Sequence, residues 1–245
     1  MLHKLYHFIT AKYNRYTVGR YLNQMKRSGV SWKNIDGVWL PLWDAIGYDT
    51  LRWIVDGSYE IGEITILKNR LSEADVVLEI GTGLGFLSTY CALKNGNHNI
   101  HTYEANPDNI LIAQQVFEKN EVQPTLHNQM LGASNDSIRF FVNDGSKLAS
   151  SLLKTTGQEI FIEQLSINNV INELKPTYLL MDIEGAEYDI IRIINFQSIK
   201  KVQFELHPQL IGDEKSTFIF NRLEQLGFIR DTVVSSHPNY FYSKP

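Results

Sequence analysis

From Ala74 onward, short apolar runs alternate with longer stretches in which apolar residues recur every three or four positions. Runs of the first kind suit strands buried on both faces, and the longer stretches suit the helices that cover them. The alternation predicts a doubly wound, mostly parallel α/β sheet. Strands are expected near residues 75–80, 99–104, 124–129, 177–182, 200–206, 227–233 and 239–243, with an inserted strand pair at 137–142 and 158–163. The pattern before residue 57 is different. Trp32, Trp39, Trp43 and Trp53 fall between helical stretches punctuated by Pro41 and several glycines. This predicts a helical, tryptophan-rich extension over 1–56 and a main domain over 57–245. The aromatic residues of the extension either pack its own core or cap a ligand crevice.

The run Val76-Val77-Leu78-Glu79-Ile80 ends in Gly81-Thr82-Gly83-Leu84-Gly85, a strand passing through a glycine-rich turn into a helix over Leu87–Lys94. Glycines lack Cβ, so such a turn bends sharply and lets the backbone approach a ligand. Ligands of open α/β sheets bind at the carboxyl ends of strands. A dinucleotide loop of the form G-x-G-x-x-G needs glycine at position 86, where this chain has Phe86. Glu79, two residues before the first glycine, would repel a pyrophosphate but tolerates the positive charges of S-adenosylmethionine (SAM). The pattern therefore favours SAM over NAD. Glu104 ends the next strand, 19 positions past Gly85, where an acid commonly accepts hydrogen bonds from ribose hydroxyls. Asn106 and Pro107 then supply a helix N-cap and first helical residue.

Two further strand ends carry candidate chemistry. Asp182, Glu184 and Glu187 lie within Met181-Asp182-Ile183-Glu184-Gly185-Ala186-Glu187, and Glu187 falls in the first turn of a helix, where the dipole favours an anion. Carboxylates this dense need donors, water or cations around them. Asp182 and Glu184 are candidates for substrate contact, acid–base work or a metal. No metal ligand set is assigned, although a divalent cation held by these carboxylates is an alternative way to activate an acceptor. His207, in Glu205-Leu206-His207-Pro208, titrates near neutrality and is a candidate proton acceptor.

Composition sets bounds on partners. The 245 residues carry a net charge of −4, which argues against a polyanion-binding surface and against nucleic acid as substrate. The first 34 residues run against that balance: Lys4, Lys12, Arg15, Arg20, Lys26, Arg27 and Lys33 precede the first acid, Asp36. Residues 1–18 fit an amphipathic helix rather than a signal peptide or membrane span. Cys91 is the only cysteine, so no intramolecular disulfide forms, which suits a reducing, cytoplasmic setting.

Together, Val77-Leu78-Glu79-Ile80-Gly81-Thr82-Gly83-Leu84-Gly85, Tyr103-Glu104-Ala105-Asn106-Pro107, Met181-Asp182-Ile183-Glu184-Gly185-Ala186-Glu187 and Glu205-Leu206-His207-Pro208 resemble the FkbM family of SAM-dependent methyltransferases. Gly57-Ser58-Tyr59-Glu60 also looks like that family's element upstream of the loop. The resemblance implies a seven-stranded Rossmann-like sheet with its last strand antiparallel, and methyl transfer to oxygen, often a hydroxyl of a sugar or natural product. It implies cofactor contacts from Tyr59, Glu60, Glu79, Gly81, Thr82, Gly83, Gly85, Glu104, Ala105 and Asp182, with Asn128 to Gly132 and Ser134 near the adenine. Catalytic roles fall to Asp182, Glu184 and His207. Glu163-Gln164-Leu165-Ser166-Ile167-Asn168 departs from the family's threonine-leucine-aspartate element, and residues 1–56 match none of its elements. The acceptor is expected to be a small molecule or glycan, and a homo-oligomer is possible. A non-catalytic SAM-binding scaffold and a nucleic-acid methyltransferase are the competing readings.

Overall fold

The computed structural model describes residues 18–25, 27–142 and 158–245, and the chain divides into two compact units, Met1–Tyr59 and Glu60–Pro245. The basic positions up to Arg15, and Lys26, lie outside the described residues. In the first unit residues 18–25 are helical, followed by strands β1 (Trp32–Ile35) and β2 (Val38–Pro41) and helix α1 (Tyr48–Asp56). The expected helices are accompanied by this antiparallel hairpin. Its turn is Asp36-Gly37, both with positive φ, the geometry that matches the twist of two paired strands. Gly57, at φ 82, ends α1 in the left-handed conformation that glycine adopts without a Cβ clash.

The second unit begins with α2 (Ile61–Arg70) and then alternates strand and helix: β3 (Val77–Ile80), α3 (Phe86–Asn95), β4 (Ile100–Tyr103), α4 (Pro107–Lys119) and β5 (Thr125–His127). After β6 (Met130–Gly132), β7 (Asp136–Val142) and β8 (Gln158–Ser166) come α5 (Ile167–Leu174), β9 (Tyr178–Met181), α6 (Glu187–Ile193) and β10 (Lys201–Glu205). The short α7 (Pro208–Ile211), α8 (Asp213–Gln225), β11 (Ile229–Arg230) and β12 (Asn239–Ser243) complete it. One seven-stranded sheet has the order β11-β12-β10-β9-β3-β4-β5. β10, β9, β3, β4 and β5 are parallel, and β12 runs antiparallel between β10 and β11. This is the expected doubly wound sheet with its last strand reversed.

Every residue of β3 and β9 is buried, as strands covered by helices on both faces require. The core around them joins Leu78, Leu179, Ile191, Val202, Phe204 and Ile219. The expected strand pair is present as β7 and β8, and a third strand, β6, makes it a separate three-stranded sheet, β6-β8-β7. β7 and β8 are antiparallel, and β6 adds to β8 in parallel. Extension of β8 to Ser166 draws Glu163–Ser166 into that sheet. At the amino ends of the main strands, Asp75 accepts from Lys201 Nζ at 2.6 Å and from Thr177 Oγ1 at 3.0 Å, a pinning contact remote from the ligand rim.

Candidate active site

Strand register builds the rim. Ile80 pairs with Tyr103 on one side and Met181 on the other, and Met181 pairs with Phe204. The residues that follow, Gly81, Glu104, Asp182 and Glu205, therefore emerge side by side at the carboxyl ends of four neighbouring strands. The sheet order reverses here, since β3 connects onward to β4 while β9 lies on its other flank. Such a switch point opens a crevice for a ligand.

The glycine loop has the backbone that the sequence requires. Gly81, Gly83 and Gly85 have φ of 92, 54 and 80. A Cβ on Gly81 would lie 1.9 Å from the Asp182 carbonyl oxygen, so the loop passes directly against the exit of β9. Glu104 is buried and clamps the loop: its carboxylate accepts from Gly83 N at 3.0 Å and from Asn106 N at 2.7 Å. Burial raises the Glu104 pKa while these backbone donors pull the other way. The backbone carbonyls of Glu104 and Ala105 accept from Asn128 Nδ2, tying the expected adenine-side segment to the end of β4. Ser134 accepts at its carbonyl from Gln164.

Two expected contacts face inward. The Thr82 hydroxyl pairs with Thr102 Oγ1 beneath the loop, and Thr102 donates to Glu79 Oε2 at 2.5 Å. Glu79 is 2% exposed, and burial pushes its pKa up to about 8, with smaller upward effects from Glu104 and Asp182. A charged Glu79 would meet a cationic ligand directly, but burial favours its neutral form at pH 7. Tyr59 belongs to the first unit, where its N–H donates to Trp53 O. Glu60 opens the second at φ 48, with its carbonyl accepting from Ile64 N.

The acids gather around His207. Its Nδ1 lies 2.8 Å from Oε1 of Glu187, which also accepts from Gly185 N, so Glu187 both caps the turn and orients the ring. The Nε2 atom stands 3.8 Å from Glu205 Oε2, 3.9 Å from Glu184 Oε2 and 4.0 Å from Asp182 Oδ1. Glu184 reaches this position from left-handed backbone, φ 50, a conformation disfavoured for residues with a Cβ. Burial alone would lower the His207 pKa, but Glu187, Asp182 and Glu205 outweigh it and raise it. His207, expected as a proton acceptor, is thus held protonated by its carboxylate neighbours. Asp182 moves up to about 8 through loss of water and the charge of Glu205.

Two members escaped the sequence reading. Glu63, on α2, is buried, and its charge acts on Glu205. Both are raised to about 7, chiefly by burial. The available signal for Glu63 was an acid among Ile64, Ile66 and Leu67 on the inward side of a helix.

A family model described as the methyltransferase FkbM domain matches residues 75–233, well over half the chain. The chain belongs to this family. Among solved structures, the FkbM-family chain is similar to a methyltransferase FkbM from Methylobacillus flagellatus KT, with 14% identity and a TM-score of 0.49. That alignment covers 82% of this chain and 56% of the other, so this chain spans little more than half of that protein's length. It is also similar to a precorrin-6y C5,15-methyltransferase from Geobacter metallireducens GS-15, with 15% identity, a TM-score of 0.46, and coverage of 77% and 89%. A ribosomal protein L11 methylase from Lactobacillus delbrueckii subsp. bulgaricus gives 13% identity, a TM-score of 0.43, and coverage of 76% and 78%. No curated protein matches the sequence.

The match gives residues 75–233 a methyltransferase FkbM domain. The rim of this domain fits SAM. The positive-φ glycine loop packs against the exit of β9 too closely for a Cβ on Gly81, and the adjoining Glu104 carboxylate ends β4. Among the described residues, no helix is long and apolar enough to cross a membrane.

Proposed function

We propose that this methyltransferase methylates a hydroxyl oxygen of a sugar, glycan or small natural product, in a cytoplasmic setting that suits the lone buried Cys91. When bound, SAM supplies a methyl group on a sulfonium, which an acceptor oxygen takes by in-line displacement as the carbon–sulfur bond breaks with its electron pair on sulfur. Gly81, Gly83, Gly85 and Glu104 hold the cofactor in this reading, with Glu60 and Ala105 completing its surroundings. The protein's tasks are to align the two reactants, exclude water and accept the hydroxyl proton.

The observation that carries the oxygen assignment is Asp182. Its side chain is 30% exposed at the exit of β9, and its raised proton affinity makes it a stronger base than an ordinary carboxylate. A base matched to neutral pH suits proton removal from a hydroxyl. Glu184, more exposed at 40%, orients the acceptor, and His207 positions Asp182 and Glu184 through charge.

Calorimetric titration with SAM and S-adenosylhomocysteine tests the cofactor site, and Glu104→Ala is expected to weaken both by about tenfold or more, equivalent to about 1.4 kcal/mol. Methyl-labelled SAM with a panel of hydroxylated acceptors tests the chemistry. Asp182→Asn is expected to lower turnover by about 10²-fold or more while SAM still binds. A base-labile methyl ester or a methylamine as product, or undiminished turnover in Asp182→Asn, refutes the hydroxyl reading.

A further inference from the structure

Five carboxyl groups, Glu63, Asp182, Glu184, Glu187 and Glu205, surround one imidazole at the exits of β9 and β10. Among the described residues, Asp182, Glu205 and His207 each present a donor atom, all within 4.8 Å of one another. The His207 side chain is 8% exposed, yet its Nε2 has no hydrogen-bond partner among the described residues and points between three carboxylate oxygens 3.8–4.0 Å away. Asp182 Oδ1 is buried and likewise without a partner.

Two donors each about 2.1 Å from a shared ion lie roughly 3 to 4 Å apart, depending on the angle between them. The Nε2 separations fall at the upper end of that range. The other ring nitrogen is held by Glu187 at 2.8 Å, so once the ring gives up one proton it keeps the other on Nδ1 and turns the Nε2 lone pair to the cluster. A carboxylate behind a ligating histidine is the usual orienting arrangement at protein metal sites. We propose that Asp182, Glu205 and His207 bind one divalent transition-metal cation beside the glycine loop, with Glu184 as a further oxygen donor. A mixed nitrogen and carboxylate set selects an ion of the Mn²⁺, Fe²⁺ or Zn²⁺ kind over Mg²⁺ or Ca²⁺. The role of the ion, to hold and acidify an acceptor oxygen, rests on the methyl-transfer reading above; its binding does not.

The test titrates Mn²⁺ into the full chain, with calorimetry in two buffers of different ionisation enthalpy and pulsed electron paramagnetic resonance. The expected result is one Mn²⁺ per chain with net proton release and an imidazole-nitrogen coupling. His207→Gln is expected to remove that coupling and, like Glu205→Gln, to weaken Mn²⁺ by about tenfold or more. Binding of Mg²⁺ is expected to be weaker than Mn²⁺ by about tenfold or more. Circular dichroism checks each variant's fold, and Glu205→Gln at the partly exposed strand end serves if His207→Gln does not fold. A chain that binds SAM but takes up no Mn²⁺ by about 1 mM, or folded variants that bind Mn²⁺ as the original does, overturns the site. Mn²⁺ uptake by a chain that binds neither SAM nor S-adenosylhomocysteine upholds the site and overturns the methyl-transfer reading instead.

Discussion

Replacing Glu79 by Gln isolates the cost of one buried acid beneath the cofactor loop. The amide oxygen can still accept from Thr102 Oγ1, so the main change is removal of the titrating proton. The folded-state pKa is about 8 against an ordinary value of 4.5. An acid with a raised folded pKa does not oppose folding below its unfolded pKa. As pH rises from there the unfolded chain ionises first, so stability is lost until the folded pKa is passed. Each pKa unit is worth about 1.4 kcal/mol, which gives a penalty of roughly 1 to 2 kcal/mol at pH 5.5 and roughly 4 to 5 kcal/mol at pH 8.5. The Gln variant should therefore gain about 3 kcal/mol on the original protein between those two pH values. Urea unfolding followed by far-UV circular dichroism measures the difference. Tryptophan fluorescence is unsuitable, because all four tryptophans precede Glu60 and follow the first unit. A stability difference that stays constant within about 0.5 kcal/mol across that pH range would show that Glu79 is not held neutral by burial.

Two further outcomes follow from local geometry. Gly81→Ala places a Cβ against the Asp182 carbonyl at φ 92, so it should cost about 2 kcal/mol or more, seen as a melting temperature lowered by roughly 4–8 °C, and abolish SAM binding. An Ala variant that melts and binds as the original does would remove the close loop–strand approach from the account. Tyr178 Oη donates to Gln203 Oε1 at 2.6 Å inside the sheet, so Tyr178→Phe should cost about 1–3 kcal/mol in urea unfolding by leaving a buried acceptor unpaired. A cost near zero would mean that water reaches Gln203.

The main sheet was legible because its strands carry their burial in their own composition. Val77–Ile80 and Tyr178–Met181 hold almost no polar residue, and Gly81 and Asp182 mark their ends. Asn106-Pro107 gave the start of α4 for the same local reason, with the Asn106 side chain accepting from Asp108 N. β6 was illegible, since three residues carry no period and its pairing with β8 is decided more than thirty positions away. The hairpin β1–β2 had an Asp-Gly signal, but short strands dense in tryptophan do not alternate cleanly. At the site, residues next to strand ends could be found from the chain, whereas Glu63 could not. It reaches Glu205 from 142 positions earlier, and a single acid on a helix looks the same in sequence whether it faces solvent or a cluster.

The placement of β12 bears on the order in which the enzyme can be completed. β10 carries Glu205 and leads into His207, and its outer edge is covered by β12, more than thirty residues further along the chain. β11 is made before β12 but pairs with it alone, so it has no berth in the sheet until β12 has docked. On the ribosome, the acidic half of the site therefore waits on a segment synthesised after the other strands of the seven-stranded sheet, while Lys201–Glu205 presents an open edge to neighbouring chains. Completion of the acidic cluster and burial of the outer edge of β10 become a single late event.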